Sequence, residues 1–239
     1  MRGLCVIVLG VLGACASTPP MPEVEAEKPA NVVWDGRGLD YATTRPALLI
    51  APPGSVIADL TLVDLDAAVA EKLLGIESAT DIDSRSYREA MGEIAATTAC
   101  VGNGELLDRP GIAARIGEAE LYEFKRETPY LKDWELASKT ASPKFGICID
   151  GAVCKLKVSD ADGAFNVQVD SVSSQLAQPI GTFTTSGAGP SLTIQTPTTS
   201  VMRRLAVETI RPGETAMFQL GRGAHSGGTR IRLLFVRIG

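Results

Sequence analysis

The amino end of the chain constrains the compartment in which the rest must fold. Arg2 places a positive charge at the start, Leu4–Leu12 is an apolar run broken only by Gly10, and small residues lead into Cys15. A charged start, an apolar centre and a small-residue end are the three regions of a secretory signal peptide. The apolar run is shorter than the roughly 20 residues that a permanent transmembrane helix needs. We therefore expect residues 1–14 to direct export and then to be removed.

The residues Leu12-Gly13-Ala14-Cys15 resemble the lipobox of bacterial lipoproteins. In that class the cysteine is lipidated and becomes the new amino end, so the resemblance implies a lipid anchor on Cys15. Several acyl chains on one residue hold a protein stably on a bilayer, whereas a single chain binds only marginally. Ala16 in place of an aspartate after the cysteine implies the outer membrane, with the folded part on its periplasmic or surface face. The resemblance covers the signal alone and implies no activity.

Two other interpretations of this segment stay open. Ala14-Cys15-Ala16 also fits an ordinary cleavage site that would release a protein without lipid, and an uncut segment would remain at the membrane as a hairpin. Residues 15–31 are rich in proline, glutamate and small residues, which is typical of an extended or disordered linker. In a lipoprotein this linker would hold the folded part away from the bilayer.

The charge of the chain is distributed unevenly. The whole chain carries a net charge of −5, yet residues 201–239 hold seven arginines against two glutamates. A basic segment can contact nucleic acid, anionic lipid or an acidic protein, whereas arginines spread along strands more often form a solvated face. The candidate partner-binding residues are Arg203, Arg204, Arg230 and Arg232. An exported chain with only 5% aromatic residues is not expected to bind nucleic acid, because it has few rings on which bases could stack.

Three of the five cysteines remain after the signal and the anchor are set aside, in a compartment that permits disulfides. Cys148 and Cys154 flank Asp150-Gly151-Ala152. A three-residue hairpin loop at that point would place the two cysteines opposite each other on paired strands, whereas a two-residue turn would point them to opposite faces. We predict the first arrangement and a disulfide between Cys148 and Cys154. Cys100 would then be a buried thiol or pair with one of the others.

The sequence predicts an α+β fold. Residues 32–144 are expected to form a mixed α/β region with a strand over Val56–Val63 and two or three helices. One helix begins at Asp64 as its N-cap, one lies over Ser84–Ala99, and a weaker candidate lies over Gly111–Phe124. The later part of that candidate, Glu118–Glu127, could equally be a strand. Residues 145–239 are β-rich, with alternating apolar and polar residues and turns at Asp162-Gly163 and Pro212-Gly213, and are expected to form an antiparallel sandwich.

No pattern in the chain indicates a catalytic or metal site. His225 is the only histidine, and its neighbour Ser226 lacks the surroundings of an activated nucleophile, so we interpret both as polar residues of the glycine-rich loop Gly221–Gly228. One histidine and three cysteines without zinc spacing do not indicate a metal, and no cofactor is expected. We therefore expect a non-enzymatic structural or assembly component of the bacterial envelope that binds a protein partner. The alternative is a periplasmic hydrolase or small-ligand binder whose site is built from dispersed residues.

Overall fold

The computed structural model describes residues 51–74, 84–87, 91–137, 140–185, 191–226 and 228–239. The predicted signal peptide, the candidate lipidation site Cys15 and the predicted linker over residues 15–31 lie outside the described residues. In chain order the elements are β1 (Ser55–Asp66), α1 (Ala67–Leu74), β2 (Ser84–Tyr87), α2 (Met91–Asn103), β3 (Gly104–Asp108), β4 (Gly111–Arg115), β5 (Ala119–Ala137), β6 (Thr140–Ala161), β7 (Ala164–Leu176), β8 (Gly181–Thr185), β9 (Leu192–Thr196), β10 (Thr199–Ile210), β11 (Thr215–His225) and β12 (Gly228–Ile238).

Two antiparallel sheets share one core. The six-stranded sheet has the order β2-β11-β12-β1-β3, with β4 also paired to β1, and the four-stranded sheet has the order β10-β7-β6-β5. Side chains from both sheets meet in a single buried cluster, for example Leu60 and Leu234 from the first sheet with Leu156 and Val169 from the second. The expectation of antiparallel β structure in the carboxyl-terminal half is confirmed, and the sheets pack face to face as a sandwich.

The two helices cover the other face of the six-stranded sheet. Val63 and Leu65 of β1 and Leu233 and Phe235 of β12 pack there with Ala70 of α1. As a consequence β1 and β12 are buried on both faces, and strands of this kind have continuous apolar runs in place of alternation. Among the described helices, none is both long enough and apolar enough to cross a membrane.

Three of the helices predicted from the sequence were wrong in whole or in part. Asp64 does not cap a helix: it lies within β1, and α1 begins three residues later. Residues 84–87 form a strand, so the helix predicted over Ser84–Ala99 is helical only from Met91, in α2. The candidate helix over Gly111–Phe124 is replaced by β4 and β5, and the strand alternative for Glu118–Glu127 is confirmed from Ala119 on. The described part of the region before residue 145 is therefore mostly strand, because a helix-like spacing of apolar residues also occurs where a strand is covered on both faces.

Residue 145, at which the β-rich region was expected to begin, lies inside β6, a single strand of 22 residues. Cys148 and Cys154 lie on this one strand, and no turn separates them. Two turns of the later region are confirmed: Asp162 and Gly163 both have positive φ (49° and 84°) between β6 and β7, and Gly213 (φ 86°) lies between β10 and β11. Glycine and aspartate favour such turns because they tolerate positive φ.

The hairpin of β5 and β6 extends beyond the rest of its sheet. β7 pairs with β6 only over Gly151–Ala161, whereas β5 stays paired with β6 back to Thr140. We call the extension, residues 127–137 and 140–149, the arm. The hairpin of β8 and β9 is tied to it: the indole Nε1 of Trp134 donates to the Thr193 carbonyl (2.9 Å), and the Leu131 N–H donates to Oε1 of Gln195 (2.7 Å).

Candidate functional site

A fully buried arginine lies between the two sheets. Arg232 of β12 is paired in register with Asp64 of β1, and its side chain is 0% exposed. Its Nε and Nη2 donate to the two carboxylate oxygens of Asp64, both at 2.8 Å. Nη2 also donates to Asp150 (2.8 Å), and Nη1 donates to the carbonyls of Gly151 (2.9 Å) and Ser174 (3.1 Å). All five N–H groups of this guanidinium are therefore bonded within the protein.

The pairing continues outward from Asp150. Arg126 of β5 donates from Nη2 to Asp150 (2.6 Å) and from Nη1 to both carboxylate oxygens of Glu105 (2.8 and 2.9 Å). Five side chains thus alternate in charge from the interior to the surface. We call this set the ion-pair chain: Asp64, Arg232, Asp150, Arg126 and Glu105. It joins β1, β12 and β3 of one sheet to β5 and β6 of the other, so it fixes how the two sheets meet at this end.

The electrostatics of the ion-pair chain hold its arginines charged. Burial by itself lowers the pKa of Arg232, but the hydrogen bonds and negative charges of Asp64 and Asp150 outweigh it and the net pKa is raised. The pKa of Arg126 is raised in the same way, because Glu105 and Asp150 outweigh its burial. The ion-pair chain contains three carboxylates and two guanidinium groups, so these five side chains carry one net negative charge together. Such a buried network is costly to break, because a partner left alone is a desolvated charge.

A cavity of about 580 Å³ lies beside the ion-pair chain. Gln175 of β7 lines it, and its side-chain Nε2 donates to Asp64 at 3.4 Å, a long bond. Gln175 is 5% exposed, yet its Oε1 accepts no hydrogen bond from any described residue. A buried polar atom without a partner is uncommon, because leaving it unpaired costs about 1–3 kcal/mol. This oxygen is itself buried against Gly221 of β11, so it is an unpaired acceptor of the packed space between the sheets and not a group that the cavity exposes.

Two glycines make the room that Gln175 occupies. Gly221 and Gly223 of β11 pair with Arg232 and Arg230, so they face the same inter-sheet space. A Cβ at Gly221 would lie 2.9 Å from Oε1 of Gln175, and one at Gly223 would lie 2.9 Å from its Cβ. These glycines were expected in a loop, but β11 continues to His225, and their small size serves a close approach between the sheets.

The rim of the cavity carries further polar groups. Arg230 lines it with a side chain that is 22% exposed, and its Nε donates to Asp66 at 3.2 Å. Among the described residues, its two Nη nitrogens make no further bond. His225 and Ser226 also line the cavity, a placement that the sequence did not indicate. The described residues contain no cluster of three or more side chains suited to a metal ion.

The four arginines proposed as partner-binding residues do not form one surface. Arg203 is exposed on the outer face of β10, and Arg204 points to the inner side, where its Nε approaches the Met202 sulfur at 3.3 Å. Arg230 lies at the cavity rim. Arg232 cannot contact a partner because it is fully buried, so that part of the prediction was wrong. The lone charge of Arg232 inside the apolar run Ile231–Val236 was the overlooked signal, because a charge between two buried faces needs an internal partner.

The predicted disulfide between Cys148 and Cys154 is absent, and both thiols are free. Six residues along one strand separate the two cysteines by about 20 Å, far beyond the reach of a disulfide. Burial raises the pKa of Cys154 to about 12 and that of Cys100 to about 11. The carboxylates of Asp64 and Glu105 contribute to the raised pKa of Cys100, and the positive charge of Arg230 opposes it.

A second feature is an exposed apolar surface on the arm. Phe145 is 68% exposed and Ile147 is 63% exposed, and the register places them opposite Leu131 and Pro129. Cross-strand partners project on the same side of a hairpin, so these side chains form one patch. We call this patch the apolar arm face: Pro129, Leu131, Phe145, Ile147 and Ile149. The sequence did not indicate this face, because the pattern from residue 145 onward predicted strands with one buried side.

Comparisons of the chain with protein-family models, with curated proteins and with solved structures found no match. The assignment of function therefore rests on the geometry of the polar cavity and of the apolar arm face. The first offers polar side chains in an open cleft, and the second offers apolar area at an accessible edge. Each suits a different class of partner.

Proposed function

We propose that the chain is a lipoprotein of the bacterial outer membrane whose folded part binds an envelope protein through the apolar arm face. The observation that carries the proposal is the exposure of Phe145 and Ile147, at 68% and 63%, as neighbours on one side of the arm. Contiguous exposed apolar side chains are uncommon on proteins that act alone, and they mark interaction sites.

The construction of the arm supports a role in docking. Its two strands are paired along their length, and the β8–β9 hairpin is bonded to it through Trp134 and Leu131. A paired and braced hairpin presents its side chains with little loss of freedom on binding. Phenylalanine is among the residue types that are enriched at protein interfaces. The fitting partner surface is an apolar groove with a polar rim.

The arrangement of the carboxylates favours binding over hydrolysis. Asp64, Asp150 and Glu105 converge at the cavity, but each accepts hydrogen bonds from an arginine of the ion-pair chain. A carboxylate held in this way is already neutralised and oriented by its partner, which suits a structural role. General acid–base catalysis instead needs a carboxyl group within reach of the substrate.

The proposed anchor complements the arm. Lipid on Cys15 would hold the chain at the membrane, and a linker over residues 15–31 would let the folded part reach at most roughly 60 Å from it. Confinement to a membrane surface raises the effective concentration of a membrane-bound partner, so even a small apolar interface could be occupied. The anchor and the interface would therefore act together.

The double substitution Phe145→Ser with Ile147→Ser tests the docking. The matched control is Val101→Ser, because Val101 is 84% exposed and lies at the end of α2. Full-length proteins are extracted from membranes in mild detergent, and their complexes are compared by native size and by mass spectrometry. We expect wild type and the control to migrate with the same envelope protein and the double variant to migrate without it. A complex that survives in the double variant would contradict the proposal.

A further inference from the structure

We propose that the envelope protein partner binds the arm by adding one extended strand to the open edge of β6 over Phe145–Ile149. This inference rests on the proposed function, because it names how the partner of the apolar arm face is held. One edge of β6 is paired with β5 throughout the arm, whereas the other edge is paired with β7 only from Gly151 onward. Within the arm, no described strand therefore covers this second edge.

The edge is open because β7 turns away from β6 after Ser174. The Ala177 N–H donates to the Thr198 carbonyl (2.8 Å), and the Gln178 N–H donates to the carbonyl of Ala224 (3.2 Å), near the end of β11. These bonds lead the chain from β7 towards the other sheet. A guest strand beside the arm would therefore lie in line with β7 and continue the sheet at the point where β7 leaves it.

The backbone of this edge presents hydrogen-bonding groups at alternate residues. The Ile149 carbonyl accepts a bond from the Ser174 hydroxyl (2.8 Å), so it points towards the side of β7 and away from β5. The N–H and C=O of one residue in an antiparallel strand point to the same side, and the side alternates along the chain. Ile147 and Phe145 therefore each present an N–H and a C=O at the open edge. Groups in this arrangement are a template for another strand.

The composition of the edge favours strand addition. The stretch Phe145-Gly146-Ile147-Cys148-Ile149 contains no charged residue and no proline. Natural proteins block open edges with lysine, proline or a bulge, because an apolar open edge pairs with other chains. Pro143 and Lys144 provide such residues only beside this stretch. The unblocked part of the edge carries the exposed side chains of Phe145 and Ile147, so its backbone and its side chains offer one continuous interface.

The two faces of the edge define the chemistry of the guest strand. On one face its side chains would meet Phe145 and Ile147, which are apolar and exposed. On the other face they would lie beside Cys148 and its cross-strand partner Thr128, which lines the polar cavity. Successive side chains of a strand alternate between faces, so the fitting guest is a segment of about five residues with apolar side chains at every second position. The side chains between them are small or polar.

A second copy of the chain does not fit this edge. A two-fold axis pairs identical edge strands antiparallel. If Ile147 lay opposite Ile147 of the second copy, four residues further along Pro143 of the copy would lie opposite Gly151. A register shifted by two residues would place Ala141 of the copy there. Ser174 of β7 already holds the position opposite Gly151, so the guest is a segment that ends near Ile149 and not the same long hairpin.

The substitution Ile147→Pro tests strand addition. It removes one N–H from the open edge and keeps the N–H groups that bond to β5, and an edge strand tolerates proline where its nitrogen faces outward. The matched control is Ile147→Val, which keeps both the N–H and an apolar side chain. Full-length proteins are extracted from membranes in mild detergent, checked for folding by thermal denaturation and compared by native size and mass spectrometry. We expect the control to keep the complex with the envelope protein and Ile147→Pro to form at least about tenfold less of it.

Amide hydrogen exchange of the wild-type protein covers the case in which Ile147→Pro does not fold. Exchange is read at single amides by mass spectrometry, for the isolated protein and for the complex. We expect the amides of Phe145 and Ile147 to exchange rapidly in the isolated protein and at least about tenfold more slowly in the complex. The amides of Gly146 and Cys148, which face β5, should exchange slowly in both.

The outcomes separate this inference from the proposed function. A complex in which the Phe145 and Ile147 amides still exchange rapidly, or one that folded Ile147→Pro keeps in full, would overturn strand addition. So would a complex that contains only copies of this chain. In the first two cases the apolar arm face would still stand as the interface if Phe145→Ser with Ile147→Ser abolished the complex. A complex that survives in that double variant would overturn the proposed function and this inference with it.

Discussion

Arg232 and Asp64, 168 residues apart in sequence, form a two-bond ion pair in the protein interior with both N–O distances at 2.8 Å. The pair lies in register on neighbouring strands, and Asp150 from the opposite sheet closes it at 2.8 Å. Buried pairs of this kind contribute little net stability compared with apolar residues, but they penalise any other arrangement. We interpret Arg232 as the residue that sets how the two sheets meet.

Replacing Arg232 with methionine is expected to reduce the free energy of unfolding by about 3–5 kcal/mol, because Asp64 and Asp150 would be left as buried charges without their shared partner. Denaturant titration of the full-length protein measures the change. The matched control is Arg203→Met, which removes an exposed arginine and should alter stability by less than about 0.5 kcal/mol. Equal losses in the two variants would contradict the role of Arg232.

The cysteines of β6 are expected to stay reduced under mild oxidation. The tryptic peptide Phe145–Lys155 contains both Cys148 and Cys154, so its mass distinguishes two alkylated thiols from a disulfide. Burial raises the pKa of both thiols, to about 12 for Cys154, and this makes them slow to react in the folded protein at pH 8. After unfolding in denaturant, the peptide should carry two alkyl groups. A peptide lighter by two hydrogens and without alkylation would show that β6 is not one continuous strand.

Tyr122→Phe is expected to cost more stability at neutral pH than in acid. Burial raises the pKa of Asp108, and the hydrogen bond that the Tyr122 hydroxyl donates to it (3.0 Å) opposes this rise. Without that bond the pKa of Asp108 rises further. Below pH 3.8, the ordinary pKa of the group, Asp108 is mostly protonated in the folded and in the unfolded protein. The substitution then lowers the free energy of unfolding only slightly. As the pH rises through the pKa of Asp108 in the folded protein, the loss of unfolding free energy grows to about 1.5–3 kcal/mol.

Denaturation curves of wild type and Tyr122→Phe at pH 3 and pH 7 check this dependence. Tyr130→Phe is the control, because the Tyr130 ring lies against Gly146 on β6 and makes no bond to Asp108. A loss for Tyr122→Phe that is the same at both pH values would mean that Asp108 stays protonated at pH 7.

Gly151→Ala is expected to destabilise the protein by about 1–3 kcal/mol, because a Cβ at this position would collide with the Phe124 carbonyl oxygen on the paired strand. Backbone atoms cannot move aside as the end of a flexible side chain can. Gly228→Ala is the control, since nothing lies within 4 Å of a Cβ there and its φ is not positive. Thermal denaturation compares the two, and a Gly151 variant as stable as the Gly228 variant would contradict the strand pairing of β5 and β6.

The sequence predicted correctly the strands that have one solvent-exposed face and one buried face. Val167 and Val169 alternate with polar residues on β7, and Asp162-Gly163 has the composition of a tight hairpin turn, so local pattern was enough. The end of β1, where a helix was predicted to begin at Asp64 after a correctly predicted strand over Val56–Val63, is covered on both faces. β1 lies between the helices and the other sheet, and its run of apolar residues around Asp64 has no period of two to detect.

The candidate site could not be predicted for a different reason. Asp64 and Arg232 become neighbours only through the order of strands, and Asp150 comes from the second sheet. Judged by its neighbours in sequence, Asp64 fits an N-cap, Arg232 a solvated arginine and Asp150 a turn residue. Each of these predictions failed because the partner that stabilises the residue is distant in sequence. Gln175 carries no local signal at all, since its significance depends on the two glycines that face it.

Site-specific photo-crosslinking in living cells tests the central claim most directly. A benzophenone amino acid is placed at Phe145 of the full-length chain, and a matched variant carries it at Val101, which is exposed on the helical layer. The account predicts one discrete adduct with an envelope protein from position 145 and none from position 101. The same adduct from both positions, an adduct from 145 with only a second copy of the chain or with lipid, or no adduct at all would contradict it.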